Sequence, residues 1–225
     1  MLRLRHRPPE LRNGAYRLSK VTPIETLVEQ ARGSSDPVVL SLLVDRCFDT
    51  LDKAGRCDAV DVARRWTVSG TQNQLAWIAV APVLDNRGDL PDARAALRCA
   101  SQVSLWHESY SEIARLLEAD APKTADPAER AALLLTIVSK AYLSLPSGHY
   151  QAINRHCKEA DLSDACGGIL EVMSRDAQSL MTAQVASSLA TARSVLPATT
   201  VATIRQRSDA LSWAAMRLDG PSSPD

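Results

Sequence analysis

Aromatic residues are scarce in this 225-residue chain, which has one Phe, four Tyr and four Trp. A β-sandwich favours aromatic and β-branched side chains, so their scarcity argues against one. Glycine (9) and proline (12) are too few for a collagen-like repeat. Charge of one sign is missing as well: 26 basic residues balance 26 acidic ones. No global basic field exists to concentrate a polyanion, and no nucleic-acid partner is expected. No apolar run reaches 18 residues, so no membrane span is expected. What the chain does have is 33 alanines and 45% apolar residues, enough for a substantial core. Its length fits one or two domains.

The neutral total is unevenly distributed. Residues 1–20 carry Arg3, Arg5, Arg7, Arg12, Arg17 and Lys20 against Glu10 alone, which leaves an acidic excess of five over residues 21–225. The first segment lacks the apolar stretch of an export signal. It reads as a basic, disordered arm, and 219–225 reads as a disordered tail. As written the chain is expected to be cytoplasmic; a start codon placed too far upstream would make it an exported, periplasmic protein.

Five cysteines leave the compartment open. Cys47 and Cys57 lie ten apart, Cys157 and Cys166 nine apart, and Cys99 stands alone. Each pair straddles an expected helix–turn–helix and would suit a disulfide in an exported chain, given Cα atoms within about 7 Å. In a cytoplasmic chain the same residues act as small buried hydrophobes. No CxxC spacing of zinc or redox sites occurs.

Helix start and stop signals recur at short intervals. Thr22-Pro23-Ile24-Glu25 is a capping box with proline at the first helical position, and Gly33 suits a left-handed stop. Asp36-Pro37 opens the next helix and Gly55 closes it. Asp58 caps a helix carrying Val62, Ala63 and Trp66, stopped by Ser69-Gly70. Thr71 to Arg87 is expected to be helical, kinked by Pro82. Gly88-Asp89 turns into a helix that runs to Gln102. Further helices are expected over 104–119, from Asp126-Pro127 to Leu145, over 149–157, over 163–175 across Gly167-Gly168, over 176–196, and from Thr199 or Thr200 to Leu218. About ten or eleven helices and no strand pattern make an all-α chain, expected as a single domain over 21–218.

Residues 74–105 carry the clearest internal pattern. Trp77, Val80, Ala81 and Leu84 share one face of a first helix; Gly88 lies in the turn; Ala93, Leu97 and Ala100 share the inner face of the second. This arrangement resembles a tetratricopeptide repeat, in which small residues let paired helices approach closely. Leu84 stands where the family usually has Tyr, and Leu105 where a closing Pro is common. A shift of about 33 residues gives a degenerate copy at 41–72, with Val44, Cys47, Phe48 and Leu51 on the first helix. The resemblance implies a right-handed stack of antiparallel helix hairpins, an α-solenoid whose concave face binds a protein or peptide. The phrase Ala63-Arg-Arg-Trp66, Asn73 ahead of Ala76-Trp77, and the two cysteine pairs also resemble a group of often exported bacterial helical proteins that brings no known activity.

Chemistry-bearing motifs are few. No GxSxG elbow, Walker loop or strand-linked GxGxxG is present. His149 and His156 are seven apart, near one helix face, with Cys157, Glu159 and Cys166 close in sequence. A helical enzyme or metal-binding module using His149, His156, Cys157 and Cys166 is therefore the alternative, although no HxxxH core exists. The favoured expectation is a non-catalytic interaction scaffold with no catalytic residue, cofactor or metal. Asn73, Gln74 and Arg87, on the first helix of the best repeat, are its candidate partner-binding residues. Trp66, Trp77, Trp106 and Trp213 are expected mainly in the core.

Overall fold

The computed structural model describes residues 28–29, 32–49, 57–109 and 148–218. These are all-α: α1 (Pro37–Asp49), α2 (Ala59–Ser69), α3 (Gln74–Ile78), α4 (Val80–Arg87), α5 (Leu90–Ser101), α6 (Gly148–His156), a 3-10 turn (Ala160–Leu162), α7 (Ser163–Asp176), α8 (Leu180–Arg193) and α9 (Ala198–Leu218). Among the described residues there is no β-strand, only an isolated bridge between Asn73 and Leu105. None of the described helices is long and apolar enough to cross a membrane. The basic arm, the tail, the helix expected after Asp126, and Leu51 and Gly55 lie outside the described residues. The chain divides into two compact units, Met1–Thr71 with Glu108–Gly148 and Gln72–His107 with His149–Asp225.

In the first unit, Asp36 starts α1 by accepting a hydrogen bond from the Val38 N–H at 2.9 Å. Pro37 takes the first helical position, where its missing N–H leaves nothing unpaired. Asp58 caps α2 through the Asp61 N–H at 3.1 Å, and Gly70 closes it onto the Trp66 carbonyl at 2.7 Å. α1 packs on α2, burying Leu40, Val44 and Cys47 from one and Val62, Ala63 and Trp66 from the other. A disulfide joins Cys47 to Cys57, with Cα atoms 5.8 Å apart.

The second unit begins with the hairpin read as a repeat. Its first helix starts at Gln74 rather than Thr71, because the Asn73 side chain caps it from the Leu75 N–H at 3.1 Å. The helix breaks between Ile78 and Val80. Pro82 supplies the reason: it has no N–H for the carbonyl four residues back, that of Ile78, and its ring crowds that carbonyl. At the other end Gly88 adopts φ 80°, its N–H bonded to the Asp85 carbonyl while the Asp89 N–H reaches the Leu84 carbonyl. That pair of bonds is a Schellman stop, which favours glycine because the left-handed conformation penalises a Cβ. Both α3 and α4 then pack on α5.

Two expected helices do not begin at the expected residues. Residues 103–108 are non-helical, because the Leu105 carbonyl accepts the Gln74 N–H at 2.7 Å and Asn73 holds the backbone of His107. The helix expected from Asp176 starts at Leu180, capped by Ser179 through the Thr182 N–H at 3.1 Å, and ends at a left-handed Ser194. α7 runs unbroken across Gly167-Gly168 and packs on α5, α8 and α9. A Cβ on Gly167 would lie 3.1 Å from the Val195 carbonyl oxygen, so glycine is what permits that close approach.

Candidate functional site

Four side chains expected in the repeat core, Val80, Ala81, Leu84 and Leu97, are buried, as are Ala93 and Ala100. Trp77 is half-buried and Gly88 lies exposed in the turn. The first helix of this hairpin directs its polar residues inward. Gln74 is fully buried, its amide donating to the Ala100 carbonyl at 3.1 Å. Asn73 is buried as well; its amide nitrogen donates to the His107 carbonyl at 2.9 Å, and its oxygen accepts the His107 N–H at 3.0 Å. Both residues therefore organise the backbone instead of presenting a binding surface. Of the three candidates for partner contact, Arg87 alone is exposed.

A second cluster gathers where α6 turns into α7. The turn brings Cys157 to Cys166, which are disulfide-bonded with Cα atoms 5.6 Å apart. Immediately before it, the His156 ring is almost fully buried between two carboxylates. Its Nε2 lies 2.8 Å from Asp85 Oδ1, and its Nδ1 lies 3.1 Å from Glu159 Oε1. Each carboxylate also receives a guanidinium: Arg155 reaches Asp85 at 3.1 Å, and Arg94 reaches Glu159 at 2.6 Å. Asp85 comes from α4 and Arg94 from α5, so this chain of polar contacts ties α6 to the repeat-like hairpin. Arg98 and Asp161 add an exposed pair at 2.8 Å on the same side.

This arrangement restricts what the residues can do. Cys157 and Cys166 are bonded to each other, and both His156 nitrogens face carboxylate oxygens. His156, Cys157 and Cys166, three of the four residues singled out for a metal or catalytic role, thus do not converge as a ligand set. Among the described residues, no group of three His, Cys, Asp or Glu side chains is placed to hold a metal ion. The cluster is a buried electrostatic joint. Buried ion pairs offset much of their Coulomb gain with desolvation, so its value lies in fixing how α6 meets α4 and α5.

A third polar clasp fixes the segment after α5. The Trp106 N–H donates to Asp176 Oδ2 at 3.1 Å, and Arg175 donates to both Asp176 oxygens at 2.8 Å and to the Ser104 carbonyl. The Arg175 hydrogen bond, aided by the Trp106 N–H, holds the Asp176 carboxyl below the usual carboxylate range, although burial pushes the other way. The same bond raises Arg175. Trp106 is thereby seated as a buried plug, and Trp66 is buried in the first unit, whereas Trp213 is 54% exposed.

Most of these partners were invisible in the sequence. Asp85 and His156 are 71 residues apart, and Trp106 and Asp176 are 70 apart. No local motif links such pairs; only Glu159, three positions from His156, carried a signal. Comparison of the chain with protein-family models, with curated proteins and with solved structures gives no match.

Proposed function

We propose that this chain is a non-catalytic protein-interaction module of tetratricopeptide-like helix hairpins, binding a protein or peptide partner by shape. The observation that carries this reading is the hairpin α3/α4–α5. Its small and aliphatic residues in repeat register, Val80, Ala81, Leu84, Ala93, Leu97 and Ala100, are all buried around a left-handed Gly88 turn.

In such arrays the first helix of each hairpin lines the partner-binding face. In the second unit the exposed polar residues of the first helices include Arg87 on α4 and Gln151 on α6. The test is affinity capture from the organism that makes the protein, using the full chain and an Arg87→Glu/Gln151→Glu variant. The expected result is a discrete protein partner whose affinity falls at least about tenfold in the variant, about 1.4 kcal/mol. A partner held equally well by both chains contradicts this face, and turnover of a small molecule by the purified chain contradicts the non-catalytic reading.

A further inference from the structure

We propose that this chain matures in an oxidising compartment, where a disulfide-donating oxidoreductase or glutathione disulfide closes Cys47–Cys57 and Cys157–Cys166 as permanent structural clips. Each bond closes the turn between two consecutive helices. Cys47 lies in the last turn of α1 and Cys57 just ahead of α2; Cys157 directly follows α6 and Cys166 lies in the first turn of α7. Cα separations of 5.8 and 5.6 Å are those at which the bond closes without moving the backbone. Two separate helix turns each closed by a bond of near-identical span mark the clips as part of the fold, not a chance approach of thiols.

Burial decides between a structural clip and an exchanging redox pair. Exchange needs a thiolate to reach one sulfur of the bond. All four cysteines are buried, Cys166 completely, so the folded hairpins hinder the approach of an incoming thiolate. Cys99, by contrast, is exposed and unpaired. A cytosol poised by glutathione keeps such thiols reduced, so the clips place the folded chain elsewhere.

Closure balances as a dithiol–disulfide exchange. One cysteine thiolate attacks the donor disulfide, forming a mixed disulfide and expelling a donor thiolate. The second cysteine, deprotonated, attacks the chain sulfur of the mixed disulfide and expels the other donor thiolate. Two electrons and two protons pass from each cysteine pair to the donor, which leaves as thiols.

The test uses the full chain in the organism that makes it. Thiols are blocked with N-ethylmaleimide before lysis, and the purified protein is digested without reductant for mass spectrometry. The expected outcome is a label on Cys99 alone and two linked peptide pairs, Cys47 with Cys57 and Cys157 with Cys166. Labelling of all five cysteines, or pairs joined otherwise, overturns the proposal. A second measurement compares melting of the oxidised chain with its Cys47→Ala/Cys57→Ala and Cys157→Ala/Cys166→Ala variants. Each is expected to melt about 5–10 °C lower, or to fail to fold. Unchanged midpoints in both show that the clips are dispensable and overturn their structural role.

Discussion

Within the second unit, the hairpins α3/α4–α5 and α6–α7 share a helix–turn–helix plan but are held together differently. The first relies on close apolar packing: alanines at the crossing, Leu97 fully buried in α5, and a turn that needs only the left-handed Gly88. The second has a nine-residue first helix, and it recruits a disulfide and a buried His156–carboxylate joint to hold that helix in place. Local sequence can specify the first device by itself. The second works only once distant segments have met, which makes it dependent on folding and on redox conditions.

The contrast can be broken most forcefully at Leu97. Leu97→Ala leaves a cavity in the packed hairpin and is expected to cost about 3 kcal/mol. In urea titrations that loss should be the same with and without reductant. A loss that appears only under reduction would mean the apolar hairpin, too, depends on the clips.

Adjacent glycines in α7 sharpen the comparison on the other side. A Cβ on Gly167 would press on the Val195 carbonyl oxygen at 3.1 Å, whereas on Gly168 it would meet Ser101 at ordinary contact distances of 3.5 and 3.7 Å. Gly167→Ala should therefore destabilise by about 1 kcal/mol through overpacking. Gly168→Ala should stabilise by about 0.5–1 kcal/mol through helix propensity. Thermal melts of the two variants should move in opposite directions.

The smallest expected effect is electrostatic. Asp176 is held below the usual carboxylate range by Arg175 and the Trp106 N–H. Its contribution is complete above the unfolded-state value of about 4 and is lost as pH falls through the lower folded-state value. Because Arg175 is partly exposed, that contribution is at most about 1 kcal/mol. Asp176→Asn should lower stability by this amount at neutral pH, and the difference from the parent chain should shrink below about pH 4. A difference that persists unchanged into acid would remove the carboxylate from the clasp.

These effects track what could be read from the chain before its structure. The all-α class, the Asp36-Pro37 and Asp58 starts, the Gly88 stop and the break forced by Pro82 follow from rules that act within one helical turn. The burial of Val80, Ala81, Leu84, Ala93, Leu97 and Ala100 in one hairpin was legible for the same reason. The sequence offers Asn73 as a partner-binding candidate, since a capping asparagine and a binding asparagine look alike until His107 is brought beside it. Residues 104–108 carry helix-compatible side chains, yet Asn73, Arg175 and Asp176 capture their backbone groups from elsewhere in the unit. The joint around His156 joins α4, α5 and α6 across about 70 residues, so no spacing rule could reveal it.

Amide hydrogen exchange of the oxidised and reduced full chain tests the difference between the two hairpins most directly. On reduction, α6 and the first turns of α7 are predicted to lose protection, while α4 and α5 keep theirs from Val80 to Ala100. Equal loss in both hairpins, or no loss in α6, would contradict the account.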